Sequence, residues 1–451
     1  MIIKSVFAGL LLTMSSLGAH AAEPQVGPAT VYTHVALIDG TGAPMKTDMA
    51  ILIEGDRIAK ILPSAQMTAA LPEGTKLVDG HGLYALPGLI DSHVHLTPVK
   101  KLSEAHARLR RYLYSGITSV RDMAGDARTL AELKRESLLK EIPSPNIYYA
   151  ALMAGPMFFK DPRPGATAEG LVAGQVPWMQ AITPKTDMTE AVALARGTGA
   201  TGIKIYADLE SKEVHRITAE AHRQGIKVWA HSMVFPATPA DDVDAGVDVL
   251  SHVCRLAWQI APVRPREYHH KVHMPTDRLD PADARLKALY AQMKARGEIL
   301  DATLWLYTHL TELRHGQPET GAAQCSPKFA AALTRTVYDA GVDISTGTDS
   351  TLPASAAYPS LYDELHVLAH DVGMPPLQVI RSATYVGARA LGLEGERGTL
   401  VPGKRADIVF VSKNPLEEID NLRSVVLTVK DGTAYARKDY VPITNAELGD
   451  N

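Results

Sequence analysis

The sequence lacks several features that would point to particular classes of protein. Its 451 residues carry a net charge of −4 and hold no long basic or acidic run, which argues against nucleic acid or a charged membrane surface as a partner. No apolar run beyond the amino-terminal region is long enough to span a membrane. The apolar share of 46% and the charged share of 21% are ordinary, and they predict a globular protein.

Cysteine is also scarce, since Cys254 and Cys325 are the only two in the chain. A disulfide between them would need an oxidising compartment and a suitable distance between their backbones. The sequence settles neither condition, so the paired and the free states both stay open.

The amino terminus has the pattern of a secretory signal peptide. A short start containing Lys4 precedes the apolar residues 5–18, and Ala19-His20-Ala21 matches a cleavage site. We therefore expect residues 1–21 to be removed and the protein to be secreted, into the periplasm if the host is Gram-negative. No cysteine lies at the junction, which argues against a lipoprotein.

The two ends of the mature chain read as short strands. Residues 30–62 form a hairpin pattern around Glu54-Gly55-Asp56-Arg57, and residues 406–411 and 425–429 add further strands near the carboxyl terminus. Neither piece can bury its apolar face alone. We expect one small β-sandwich built from residues 22–84 and 395–451, beside a central domain of residues 85–394.

The central domain alternates strands with helices. This alternation predicts parallel strands joined by crossover helices, and eight such units favour a closed (β/α)8 barrel. An open doubly wound sheet is the alternative, but no Gly-x-Gly-x-x-Gly turn follows an early strand. The expected strands cover residues 85–95, 118–121, 146–152, 202–206, 227–231, 248–252, 299–304 and 342–346.

Residues that suit a metal ion collect where these strands end. Active sites of such barrels lie at the carboxyl ends of the strands, and imidazole and carboxylate groups are ordinary zinc ligands. Any one of them alone could be an ordinary polar side chain or turn residue, but their coincidence at one rim predicts a metal site. The candidates are His93, His95, Lys204, His231, His252 and Asp349.

Lys204 is unusual because its neighbours Ile203 and Ile205 are expected to face the helices, which turns the lysine into the barrel. A buried ammonium without a partner is costly. Either a carboxylate pairs with Lys204, or the neutral amine adds carbon dioxide and becomes a carbamate that bridges two metal ions. Both interpretations stay open.

Three stretches are similar to the metal-dependent amidohydrolase superfamily, in the branch of imidazolonepropionases and prolidase-like dipeptidases. They are PGLIDSHVH at residues 87–95, GTDS at 347–350 and GTLVPGKRADI at 398–408. The resemblance implies a zinc-dependent hydrolase with a small-molecule substrate. It also implies either a two-metal or a one-metal site.

The two forms divide the candidate ligands differently. In the two-metal form, the resemblance assigns one ion to His93, His95 and Asp349, and the other to His231 and His252, with carboxylated Lys204 between them. In the one-metal form the ligands are His93, His95, His231 and Asp349, with His252 beside them.

The expected activity is hydrolysis of a carbon–nitrogen bond in an amide, peptide, N-acyl amino acid or cyclic amide by a metal-activated hydroxide. Asp349 would accept the proton of the nucleophile and pass it to the leaving nitrogen. Asp91 either orients the ligands of the first strand or is an ordinary strand-end residue. An esterase, lactonase or phosphotriesterase is the alternative, and a non-catalytic binding protein of the same fold is a third interpretation.

Substrate contacts are expected on the loops above the barrel. Residues 155–184 form a long segment rich in glycine and proline, which is either a lid or a plain surface insertion. Tyr206, Met233 and His309 are weaker candidates for the substrate pocket, with core packing as the alternative.

A homo-oligomer is compatible with the sequence.

Eight further histidines are not assigned to the site. A polar, loop-like segment places three of them at the solvated surface, and helical patterns place five others on helices without a role. The first group is His269, His270 and His273, and the second is His106, His215, His222, His366 and His370.

Overall fold

The computed structural model describes residues 29–69, 71, 73–97, 101–270, 272, 274–313, 325–349 and 353–448, so the expected signal peptide lies outside the described residues. The strands of this part are β1 (Thr30–Leu37), β2 (Lys46–Glu54), β3 (Arg57–Pro63), β4 (Lys76–Asp79), β5 (Tyr84–Pro87), β6 (Leu89–Val94), β7 (Ile117–Asp122), β8 (Asn146–Ala154), β9 (Gln175–Val176), β10 (Met179–Ala181), β11 (Gly202–Ile205), β12 (Lys227–His231), β13 (Val249–Ser251), β14 (Ile299–Asp301), β15 (Asp343–Ser345), β16 (Ile408–Val411), β17 (Val425–Lys430) and β18 (Thr433–Ala436).

The helices surround the barrel strands or pack at the ends of the chain. No helix among the described residues is long and apolar enough to cross a membrane. The helices are α1 (Ser64–Thr68), α2 (Leu102–Tyr114), α3 (Ala127–Leu138), α4 (Pro162–Ala168), α5 (Met188–Gly197), α6 (Ser211–Arg223), α7 (Pro239–Asp244), α8 (Ala284–Arg296), α9 (Leu304–Leu313), α10 (Pro327–Asp339), α11 (Leu361–His370), α12 (Pro376–Arg381), α13 (Gly387–Leu391) and α14 (Asn445–Leu448).

The two ends of the chain share one eight-stranded sheet, in the order β18-β17-β16-β5-β1-β2-β3, with β4 paired to β1. β16 joins the halves, because it pairs antiparallel with β5 and aligns Phe410 with Ala85. Phe410 is fully buried and its ring lies 4.7 Å from that of Tyr32. Both termini therefore contribute strands to one sheet separate from the barrel, which agrees with the predicted fold class.

The central domain is the predicted (β/α)8 barrel, and the fold class is confirmed. Its parallel strands follow the order β6-β7-β8-β11-β12-β13-β14-β15. Backbone bonds close the ring between its first and last strands, since the amide of Ser92 donates to Thr346 at 2.8 Å and that of Asp349 donates to His93 at 2.9 Å.

A single apolar run serves both domains. Tyr84–Pro87 belongs to the terminal sheet and Leu89–Val94 to the barrel, so the boundary expected between residues 84 and 85 falls inside β5. Gly88 lies between the two strands, where a Cβ atom would come within 2.1 Å of the Thr118 side chain. Glycine is thus required for the close approach of β6 to its neighbour.

The segment at residues 155–184 is not structureless, which corrects the sequence-based expectation. It contains a 3-10 turn (Phe158–Lys160), the helix α4 and the short strands β9 and β10. β10 extends β8 in parallel, pairing Met179 with Leu152. The segment is therefore fastened to the barrel sheet by hydrogen bonds that its glycine and proline content does not predict.

Candidate metal centre

The candidate ligands lie at the carboxyl end of the barrel. His93 is near the end of β6 and His95 directly follows that strand, while Lys204 lies in β11 and His231 ends β12. His252 follows β13 with φ of 72°, and Asp349 follows β15 with φ of 45°. The ends of parallel strands thus bring residues far apart in sequence to one rim.

Asp349 is the point on which the histidines converge. Its Oδ1 accepts a hydrogen bond from Nε2 of His95 at 3.0 Å and lies 3.7 Å from Nε2 of His93. Its Oδ2 lies 3.9 Å from Nδ1 of His252. His93, His252 and Asp349 each offer a ligand atom within 4.8 Å of the others, which is the spacing that one metal ion can bridge.

His231 extends this cluster on the side of β12. Its ring centroid lies 4.9 Å from that of His252, and its Nδ1 is buried without a hydrogen-bond partner among the described residues. Burial lowers the pKa of both imidazoles well below the usual value, and the neighbouring cations lower it further. Both rings are therefore neutral at pH 7, as metal ligation requires.

The carboxylate of Asp349 stays ionised in these surroundings. Burial alone would raise its pKa, but the nearby His93 and the hydrogen bond from His95 hold that pKa well below its usual range. The pKa of His95 is raised by the same carboxylate, although burial opposes the shift. The site thus combines an anionic oxygen donor with the neutral nitrogen donors of His231 and His252.

Two residues that the sequence did not single out orient the histidine rings. Nδ1 of His93 donates to Oδ2 of Asp301 at 2.7 Å, and Nδ1 of His252 lies 3.0 Å from the Thr303 hydroxyl. Asp301 ends β14, so the rule that found the other candidates at strand ends also applied to it. Thr303 lies two residues beyond that strand, and its own backbone is left-handed, with φ of 49°.

Asp91 acts on the backbone of the site. It is fully buried and accepts from the amides of His93 and Thr348, both at 3.2 Å, and from the Thr348 hydroxyl at 2.9 Å. Burial raises its pKa to about 8. These bonds join the strand of His93 to the turn of Asp349, so Asp91 orients ligands through the main chain.

Lys204 lies inside the barrel, as expected from its neighbours, and its Nζ donates to the Ser251 hydroxyl at 3.0 Å. No carboxylate of the described residues forms an ion pair with it, so the ordinary lysine–aspartate pair is not present there. Burial lowers the pKa of the amine to about 7. A substantial fraction of this amine is therefore uncharged near neutral pH.

A cavity of about 600 Å³ opens above the cluster, within the size range of pockets for small molecules. Tyr206 lines it, with its ring 4.0 Å from that of His231. Met233 is fully buried in the core and His309 stacks on Trp305, and neither lines the cavity. Tyr206 is thus the one of the three that lines this cavity, and the substrate contacts of Met233 and His309 stay a prediction.

Loops, a 3-10 turn and the helices α4 and α9 supply the rest of the wall. Arg255 lies on the 3-10 turn after β13, Tyr268 in the loop before α8, and Arg163 on α4. His269 and His270 are exposed, as predicted, and they also line this cavity. His273 lies outside the described residues. For Tyr268, His269 and His270, which lie in a loop, strand and helix periodicity gives no signal.

The five histidines predicted to lie on helices do so, and each has a carboxylate partner. The pairs are His106–Glu136 at 2.7 Å, His215–Asp244 at 3.5 Å, His222–Asp248 at 2.8 Å, His366–Asp420 at 2.8 Å and His370–Glu418 at 3.0 Å. None of them contributes to the cavity.

Cys254 and Cys325 form a disulfide, with their Cα atoms 6.1 Å apart. The bridge joins the 3-10 turn after His252 to the residues before α10, and both cysteines line the cavity. The alternative left open by the sequence is thus decided in favour of pairing.

Known proteins resemble this chain in sequence and in fold. The amidohydrolase family model matches residues 84–256 and 308–434. The imidazolonepropionase of Micrococcus luteus is 24% identical over 84% of this chain and 92% of its own, and the ochratoxinase of Aspergillus niger is 25% identical over 88% and 84%. A crystal structure of a putative prolidase from Bifidobacterium longum superimposes with a TM-score of 0.69 at 22% identity, over 94% and 98% of the two chains.

These matches agree with the branch that the sequence motifs indicate. The relatives in sequence include imidazolonepropionases, and the structural neighbours include prolidases. The chain therefore belongs to the amidohydrolase family, and it is a metal-dependent hydrolase of carbon–nitrogen bonds.

Proposed function

We propose that the protein is an exported hydrolase that cleaves an amide, a peptide, an N-acyl amino acid or a cyclic amide, using one or two zinc ions. The observation that carries the proposal is the convergence of His93, His252 and Asp349 beneath the cavity. The proposed ligands are His93, His95, Lys204, His231, His252 and Asp349.

The donor set suits zinc. Neutral imidazole nitrogen and carboxylate oxygen are its common ligands, and the unpartnered Nδ1 of buried His231 is a polar atom that a metal would satisfy. When bound, the metal would supply acidity to a water molecule and polarise the scissile carbonyl.

Asp349 is the proposed proton carrier. Its low pKa keeps it ionised at neutral pH, and it lines the cavity beside the histidines. It takes the proton of the attacking water and delivers it to the leaving nitrogen, which departs as an amine.

Lys204 is the proposed attachment point of a carbamate. The lowered pKa supplies neutral amine, and the Ser251 hydroxyl is its polar neighbour. Carbon dioxide would add to Nζ with loss of a proton and give an anionic group with two oxygen atoms. Electron density beyond Nζ in a crystal of the zinc-loaded protein tests this, and a bare lysine beside a single metal would favour the one-metal form.

The activity is tested with a substrate library and ligand variants. The library contains N-acyl amino acids, dipeptides, cyclic amides, lactones and phosphotriesters. The zinc-loaded protein should hydrolyse members with a carbon–nitrogen bond, and chelator should abolish the activity. His93→Ala and Asp349→Ala should each lower kcat by at least ~100-fold. Full activity in both variants would overturn the metal mechanism, and cleavage confined to lactones or phosphotriesters would overturn the substrate class.

Export has a separate test. The proposal rests on the amino-terminal pattern of residues 1–21 and is supported by the disulfide, because disulfides persist in oxidising compartments. Expression of the full chain in a Gram-negative host should yield a periplasmic protein whose sequence begins at Ala22. An intact amino terminus in the cytoplasmic fraction would contradict it.

A further inference from the structure

Arg255 is a cation on the cavity wall that the described residues leave unneutralised. It lies on the 3-10 turn Val253–Gln259, three residues after His252, and is partly buried. Among the described residues, no carboxylate forms an ion pair with its guanidinium and no side chain or carbonyl accepts a hydrogen bond from it. A half-buried guanidinium without an anionic partner is costly unless a ligand supplies one.

Arg163 provides an internal comparison on the same wall. Both guanidiniums lie over the Tyr268 ring, Arg163 at 5.7 Å and Arg255 at 5.5 Å from its centroid. Arg163 is neutralised by Asp161, to which its Nη2 donates at 2.8 Å and its Nε at 3.0 Å. The uncompensated positive charge of the wall therefore belongs to Arg255.

The surroundings hold Arg255 in place. Its Cζ lies 5.8 Å from the Phe235 centroid, and the Phe235 ring packs edge-on against Trp258 at 6.3 Å. The adjacent Cys254 is tied by its disulfide to the residues before α10. A guanidinium packed on aromatic faces keeps its N–H edge free for a planar anion.

We propose that Arg255 binds a free carboxylate of the substrate. Phe235 and Trp258 line the same cavity beside it and would pack against an apolar part of that substrate. Arg255, His231, His252 and Asp349 line one cavity, so the carboxylate and the scissile bond belong to one small molecule. The substrate is then an amide that carries a free carboxylate, as N-acyl amino acids and dipeptides do, and not an uncharged amide, an inference that rests on the proposed function.

The test compares an N-acyl amino acid with its carboxamide, which differs only in lacking the carboxylate. The wild-type enzyme should prefer the acid in kcat/KM by about 10- to 100-fold, the usual worth of a charge-assisted contact. Arg255→Gln should lower kcat/KM for the acid by a similar factor and leave the carboxamide within about 3-fold. Arg255→Lys, which keeps the charge without the fork, should recover part of the preference.

Arg163→Gln is the matched control. It removes a guanidinium that also lies over the Tyr268 ring, but one that Asp161 already neutralises. It should affect acid and carboxamide equally. The inference is overturned if wild-type enzyme cleaves both substrates equally well, or if Arg255→Gln slows both to the same extent; the proposed function survives either result.

A calorimetric titration with the N-acyl amino acid tests the carboxylate site at Arg255 independently of the proposed hydrolase function, because it measures binding without cleavage. Binding that Arg255→Gln weakens, in a protein that cleaves no member of the library, would overturn the proposed function and retain the carboxylate site. Equal binding by wild-type and variant protein would overturn the carboxylate site.

Discussion

His93 is held from both sides of its ring. Nδ1 donates to Asp301, which is fully buried and does not line the cavity, and Nε2 faces Asp349. A proton held on Nδ1 leaves the lone pair of Nε2 for a metal ion. The direction of this ligand therefore depends on a residue that the substrate does not contact.

Asp301→Asn should lower the affinity for zinc by roughly 10- to 100-fold, because the amide oxygen can accept the bond but carries no charge to hold the tautomer. Competition with a chromophoric chelator measures this. Asp343→Asn is the control, since Asp343 begins β15 at the opposite end of the barrel and pairs with Arg381. Equal zinc affinity in Asp301→Asn and wild-type protein would contradict the assigned role.

Glu298 predicts a pH-dependent stability. It is 3% exposed, both carboxylate oxygens lack a hydrogen-bond partner among the described residues, and burial raises its pKa from 4.5 to about 8. A raised carboxyl pKa favours the protonated folded form, so wild-type stability falls as pH rises between these values. The loss is on the order of 1 kcal/mol per pH unit and levels off above pH 8.

Glu298→Gln should remove this dependence. Its free energy of unfolding should be close to that of wild type near pH 5 and exceed it near pH 8, since glutamine has no charge to bury. Chemical denaturation at the two pH values checks the sign. A difference between the proteins that is constant across the range would show that Glu298 does not titrate as described.

The candidate ligands were predictable because histidine and aspartate at strand ends share one rim once the strands are parallel. Asp301 satisfies the same rule, yet its role depends on a contact across the barrel to His93, which strand periodicity does not report. Arg255 and Tyr268 lie on irregular turns, where side-chain direction follows from tertiary packing alone. Their place in the cavity therefore required the structure.

Among the elements, the disulfide closes a long loop from the turn after β13 to the start of α10, with a sequence separation of 71. Replacing Cys254 and Cys325 together by serine should lower the free energy of unfolding by about 4 kcal/mol, because the unfolded chain regains the entropy of that loop. Urea denaturation measures the change. Wild-type protein treated with reductant should match the variant, and unchanged stability in both would contradict the prediction.

The segment at residues 155–184 shows why loops are harder to predict than strands. Its glycine, proline and aromatic content predicted a structureless lid or insertion, but β10 pairs with the end of β8 and Phe158 packs against Tyr206 at 4.4 Å. Three-residue strands carry too short a pattern to recognise. These short strands are stabilised by hydrogen bonds to the end of β8, which a local sequence window around β10 does not include.

At the scale of the whole molecule, the terminal sheet should support the barrel without taking part in the chemistry. Phe410→Ala removes a fully buried ring from the joint between the two ends and should cost about 3–5 kcal/mol. Thermal denaturation should show a lower Tm, while kcat at 25 °C stays near wild type. Val426→Ala on the neighbouring β17, 40% exposed, is the control. An unchanged Tm for Phe410→Ala would contradict this packing.

The sequence predicted a barrel and a sheet from both termini. It did not predict that the apolar run joining them is divided at Gly88 into one strand of each. Ala85 to Ile90 is uniformly apolar, and burial is complete on both sides of Gly88. An apolar pattern reports that a strand is buried and not which strand it pairs with. The partners of β5 and β6 belong to different sheets, and only tertiary hydrogen bonds distinguish them.

The pairing of β5 with β16 also bears on the order of folding. Pro87 aligns with Ile408, so the sheet that leads into the first barrel strand waits for a partner near the end of the chain. Contacts between such distant residues form slowly because a long loop must close first. The ribosome must therefore release nearly the whole polypeptide before this joint forms, whereas the barrel strands find all their partners among residues made earlier.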